Sequence, residues 1–190
     1  AAASLLSIFR NAWQREDRFA FLKSGYTRRF GKIKEKDGEW FAEFEQRSFL
    51  EGVTGGREAW LTDWKRGNGE DLPAFNRKKA ETLEALGELE DRFRTAKSAE
   101  DHVRIFKRAV YDTFGILEIS DHYTPVIRRD AACVRRFEAL LDEIRGYSLK
   151  KKDSEISFES FADHFLGLVE LDVYSLHERD KNRVQVYDVS

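Results

Sequence analysis

Apolar residues recur along most of this chain at three- and four-residue steps, the spacing that lines one face of an α-helix. The longest such stretch runs from Thr124 to Gly146, with Ile127, Ala131, Val134, Phe137, Leu141 and Ile144 in register. Thr124 and Pro125 suit a helix start, and Gly146 suits a left-handed stop. This stretch is expected to be the central helix, with Arg128, Arg129, Arg135 and Arg136 pointing away from its apolar stripe.

Other stretches repeat the pattern. Leu5, Leu6, Phe9 and Trp13 predict a helix over 2–13, and Phe19 and Leu22 a short one over 16–24 ended by Gly25. Trp40, Phe41, Phe44 and Leu50 predict a helix over 39–51, followed by the turn Gly52-Val-Thr-Gly-Gly and a cluster of Ala59, Trp60, Leu61 and Trp64. After a break at 65–73, Phe75, Leu83, Leu86, Leu89 and Phe93 predict a helix to about residue 96, in which Gly87 is a weak point worth about 1 kcal/mol against Ala. Ser98-Ala-Glu-Asp101 reads as a capping box opening a helix through Val103, Phe106, Val110 and Phe114. Ser157 is placed to cap a last helix carrying Phe158, Phe161, Phe165, Leu168 and Leu171 inward.

Residues 183–189 alternate in the β manner, and one strand cannot make a sheet. The chain therefore reads as all-α: a single multi-helix domain of about seven helices with one terminal strand segment at 181–190. Sub-lobes at 1–64 and 73–180 are possible divisions of it. The lack of any Met and the abrupt ends read as a domain excised from a longer protein.

Composition narrows the function classes. The chain has 190 residues, 41% of them hydrophobic and 36% charged, which fits a packed core under solvated helices. A single Cys excludes a disulfide framework and points to a reducing, cytoplasmic setting. Cys133 falls among apolar positions and is expected to be buried and inert. No apolar run is long enough to cross a membrane.

No catalytic, cofactor or metal site is read. The glycines at 52–56 lack the Lys and Ser/Thr of a phosphate-binding loop. His102, His122, His164 and His177 lack ligand spacing and read as surface or interface residues. Glu39, Glu43, Glu45, Asp163 and Glu170 read as solvated helix faces.

Charge is uneven although the total is −2. Residues 1–36 hold nine basic and three acidic groups, whereas 153–180 hold eight acidic and one basic. Arg28, Arg29, Lys32, Lys34 and Lys36, interleaved with Tyr26 and Phe30, are the candidates for tracking a DNA backbone. The arginine pairs of the central helix can do likewise. The alternative is that basic and acidic regions complement one another inside the fold or across an interface. Trp60 and Trp64 are the candidates for an exposed apolar docking patch.

Certain runs carry a family likeness. Leu5-Leu-Ser-Ile-Phe-Arg-Asn-Ala-Trp13 with Arg18-Phe-Ala-Phe-Leu-Lys-Ser-Gly25 resembles the opening of the helical insertion in AddB-type subunits of ATP-dependent helicase–nucleases. Phe44-Glu-Gln-Arg-Ser-Phe-Leu-Glu-Gly-Val-Thr-Gly-Gly-Arg-Glu-Ala-Trp60 is similar to the stretch that follows there. Asn182 to Ser190 resembles the strand that re-enters the second motor domain. The resemblance implies a 2B-like helical domain that guides duplex DNA and packs on a partner helicase/nuclease subunit in double-strand break repair. ATP binding and exonuclease activity would belong to the parent protein, with no cofactor held in this fragment. The acidic tract at 153–180 would turn DNA away from its own face. The rival reading is a helical protein–protein scaffold that never meets DNA.

Overall fold

A computed structural model describes residues 1–24, 38–65, 69–113, 124–150 and 155–181. The predicted strand at 183–189 and the basic loop at 28–36 lie outside them. Among the described residues the fold is all-α, with eight α-helices and no strand. The helices are α1 (Ala2–Arg10), α2 (Arg15–Leu22), α3 (Gly38–Leu50), α4 (Arg57–Leu61), α5 (Pro73–Thr95), α6 (Ala99–Arg108), α7 (Thr124–Lys150) and α8 (Phe158–Lys181). A π-helical turn over Ala109–Thr113 extends α6.

The predicted local signals explain several boundaries. Gly52 adopts φ +65°, its N–H donates to Phe49 O, and Val53 N–H donates to Ser48 O at 3.0 Å, so α3 ends in a Schellman motif with Val53 buried beneath it. Ser98 Oγ accepts from Asp101 N–H at 3.1 Å and its hydroxyl reaches the Asp101 carboxylate at 2.7 Å. Ser157 Oγ likewise accepts from Ser160 N–H at 3.2 Å, opening α8.

The spanning element is α5 rather than the expected α7. At 1.5 Å per residue its 23 residues reach about 35 Å, and its two ends enter different aromatic clusters. Phe75 packs with Trp40, Phe44 and Trp64, each at ring distances of 6.0–6.2 Å. Phe93, at the other end, packs with Phe9, Phe106, Phe158 and Phe161 at 5.3–6.2 Å. Phe9 and Trp13, 6.3 Å apart, join the two clusters, and the buried apolar residues form one continuous core.

Helix α7 differs from its expectation in three ways. It runs through Gly146 to Lys150, because a glycine permits a stop without compelling one and Tyr147 packs edge-on against His164 of α8 at 5.1 Å. Its inward face is Phe137, Leu140, Leu141 and Ile144, while Ala131 and Val134 are only half-buried. Cys133 is exposed, since this half of the helix is incompletely covered by the core. Leu171, expected inward on α8, is also exposed.

Candidate functional site

The five predicted DNA-contact residues, Arg28, Arg29, Lys32, Lys34 and Lys36, all lie outside the described residues. Trp60 and Trp64 do not form an exposed patch. Their exposures are 0% and 3%, and they sit 5.5 Å apart in the α3–α4–α5 aromatic cluster. Their apolar area is already spent on this chain's own core.

Around Trp60 lies a buried polar knot that the sequence reading missed. The chain between α1 and α2 turns through Ala12 (φ +50°) and Trp13 (φ +61°), two left-handed residues with side chains, a conformation that persists only where surroundings enforce it. Here Trp13 N–H donates to Ile8 O at 2.7 Å and Gly56 N–H to Ala12 O at 2.7 Å. Trp13 Nε1–H donates to the Glu90 carboxylate at 2.8 Å, and Trp13 O accepts from Arg18 Nη2 at 3.0 Å.

Arg18 is fully buried, with its guanidinium carbon 2.9 Å above the Trp60 ring centroid. Its Nε and Nη1 have no hydrogen-bond partner, and burial pushes its pKa down to about 8. Glu90 also accepts from Arg94 and lies 3.6 Å from Arg57, whose guanidinium is shared with exposed Asp91. A Cβ at Gly87 would meet Arg57 Nη2 at 2.7 Å, so a larger residue there would displace the end of that side chain.

A second buried cation sits nearby. The Lys79 ammonium donates to Thr62 O and lies 4.3 Å from the Trp64 ring centroid. Asn76 clamps the same segment, accepting from Trp64 N–H at 3.0 Å and donating to Trp64 O at 2.8 Å. Burial lowers the Lys79 pKa from 10.5 to about 8, although Asp63 and Glu51 pull the other way. Between pH 8 and 10 the unfolded chain thus holds a proton that the native chain has lost, and stability should rise with pH across that window. We expect Lys79 to contribute a gain of about 2 kcal/mol, which Lys79→Met should subtract from the rise, leaving the part due to buried Arg18, when the two proteins are unfolded by urea at pH 7 and pH 10. Equal pH profiles for both would refute this.

These buried cations touch indole rings and backbone carbonyls, a chemistry suited to fixing loops rather than turning over a substrate. His102 is likewise internal, not on the surface as expected. It stacks on Phe161 at 5.1 Å, and its Nε2 lies 2.9 Å from Ile156 O. A carbonyl only accepts, so Nε2 carries the proton, and burial lowers the imidazole pKa. Among the described residues no cluster of His, Cys, Asp or Glu could hold a metal ion. None of the described helices is long and apolar enough to cross a membrane.

Glu39, Glu43, Asp163 and Glu170 are exposed as expected, and Glu45 is half-buried against Lys23. Four of the eight carboxylates of the acidic tract are paired within the fold, among the described residues. Asp163 pairs with Arg10 of α1, Glu159 with Arg94 of α5 and Asp172 with Arg136 of α7, while Glu155 lies 3.5 Å from Lys97. The partners come from four places on the frame, and one of them is an arginine proposed for DNA.

An open groove of about 640 Å³ lies between α5 and α6. Leu89 and Ile105 lie in its floor, and Arg92, Arg104 and Arg108 project around it with Glu88 and Asp112.

Comparison with protein families, with curated proteins and with solved structures finds no match. The residues of the chain itself therefore carry any functional reading.

Proposed function

We propose that this chain is a non-catalytic helical domain of an ATP-dependent DNA helicase–nuclease, similar to the 2B-like insertion of AddB-type subunits, which guides duplex DNA and docks a partner subunit. The observation that supports the reading is that the two neighbouring runs bearing the resemblance, 5–25 and 44–60, pack on one another. Arg18 of the first lies on Trp60 of the second, and Phe19 meets Phe44 at 5.4 Å. Arg15 N–H also donates to Thr54 O at 2.8 Å.

In this reading Arg28, Arg29, Lys32, Lys34 and Lys36 contact phosphates without reading bases. Neutralising about five phosphates gives a log–log salt slope of about −4.5 for duplex binding. Fluorescence anisotropy with a labelled duplex at several salt concentrations measures it. Arg28→Ala, Arg29→Ala, Lys32→Ala and Lys34→Ala together should weaken binding at least about tenfold and flatten the slope. A chain that ignores duplex DNA at low salt is not a DNA guide.

The protein-scaffold reading has one observation of its own. Phe49 and Leu50, at the end of α3, are 59% and 76% exposed. It predicts partner binding that survives nuclease treatment and no salt-dependent duplex affinity.

A further inference from the structure

We infer that the α5–α6 groove docks an acidic, amphipathic helical segment of a partner protein, an inference that rests on the subunit-docking half of the reading above. Its shape and chemistry suit a helix laid between two helices. The floor is apolar, with half-buried Ala85 and Ile105 over the core residues Leu89 and Ala109. From Ala85 to Arg92 the floor follows about two helical turns, roughly 10 Å, so it receives a short peptide helix and not a whole domain.

The rim supplies the charge. Arg104 and Arg108 are one turn apart on α6, and Arg92 faces the groove from α5. All three are exposed, and Arg92 has no carboxylate partner among the described residues. Arg104 pairs with Asp101 at 2.5 Å and Arg108 with Asp112 at 3.3 Å, but both are exposed pairs within one turn, which contribute little and are readily exchanged for an incoming carboxylate. Planar guanidinium groups bind carboxylates in bidentate fashion, which fixes the orientation of the docked segment.

Two features favour a peptide over nucleic acid. Glu88 and Asp112 share the rim, and they would repel the unbroken negative charge of a phosphodiester chain while tolerating an occasional Lys or an amide. No aromatic side chain lines the groove, so bases have nothing to stack on.

The test uses the full chain and a fluorescein-labelled peptide of roughly 14 residues, with apolar residues at i, i+3, i+4 and i+7 and Glu on both flanks. A scrambled peptide of the same composition and an oligothymidylate are the comparison probes. The patterned peptide should bind at least about tenfold tighter than either, and R92E/R104E/R108E should lose that preference with thermal unfolding unchanged. The milder R92K/R104K/R108K should keep most of the charge attraction and lose part of the affinity. Equal binding of patterned and scrambled peptides, preference for the oligothymidylate, or peptide binding that survives the charge reversal would each overturn the inference. Alanine replacement of Arg28, Arg29, Lys32 and Lys34 should leave peptide binding intact. Loss of the DNA-guiding reading and loss of the groove are therefore separately visible.

Discussion

Replacing Trp60 by Ala should destabilise the chain by about 4 kcal/mol, the scale expected for removing a large aromatic side chain from a close-packed core. Trp60 has no exposed surface, and its ring meets Phe19, Phe44 and Trp64 at 5.5–6.2 Å. Deletion therefore strips partners from α2, α3 and the segment after α4 together. It also removes the π face beneath Arg18, whose Nε and Nη1 have no hydrogen-bond partner among the described residues. Trp60→Phe keeps a ring in place and should lose only about 1–2 kcal/mol. Arg18→Met separates the two contributions. It forfeits a desolvated cation–π contact and the bond to Trp13 O, but it also relieves two unpaired buried N–H groups. These effects oppose one another, so we expect a net change within about 1 kcal/mol. Urea unfolding of the three variants measures all of this. A near-neutral Trp60→Ala would mean that the indole serves a partner's surface and not this core.

The helical frame was legible in the sequence because its signals are local and redundant. The stripe of Phe75, Leu83, Leu86, Leu89 and Phe93 is the buried face of α5, and Gly52 and Ser98 end and begin helices by the mechanisms their chemistry suggests. What escaped were charged residues lying on those same stripes. Lys79 stands four residues after Phe75 and four before Leu83, and Glu90 stands four after Leu86 and three before Phe93. Arg18 likewise stands three before Phe21 and four before Leu22. Each was in register with the apolar face, which is the one signal that could have marked it as buried. Reading charge as solvent exposure hid it. The misplacement of Trp60 and Trp64 had another cause. A short apolar cluster beside a glycine turn has no periodicity to say which way it faces, and only the arrival of α3 and α5 from elsewhere in the chain decides it. The closeness of Gly87 to Arg57 was hidden because the two are 30 residues apart. The candidate site was the least legible part. Its groove is formed between two helices, and no spacing within either one announces it.

Removing Glu90 tests whether the polar knot is a working joint of the frame. Its carboxylate is nearly inaccessible, with 6% of the side chain exposed, and it accepts from Trp13 Nε1 at 2.8 Å and Arg94 at 2.8–2.9 Å. Glu90→Ala should lose about 3 kcal/mol, at the lower end for breaking a buried charge pair. The loss is limited because both cations have a second, exposed carboxylate: Arg94 keeps Glu159 and Arg57 keeps Asp91. The indole N–H of Trp13 has no such substitute, and it would be stranded in the core beneath a left-handed turn. Glu90→Gln retains an acceptor for that N–H and should lose about half as much. Because the carboxylate is buried, 1 M salt should change the Glu90→Ala difference little, whereas exposed pairs such as Lys97–Glu155 are screened. The turn at Ala12–Trp13 should loosen in parallel, and hydrogen exchange at the Trp13 and Gly56 amides reports it. If Glu90→Ala leaves those two amides as protected as before, α1 is not fastened to α5 through this carboxylate, and the strain at Ala12 and Trp13 must be held by packing alone.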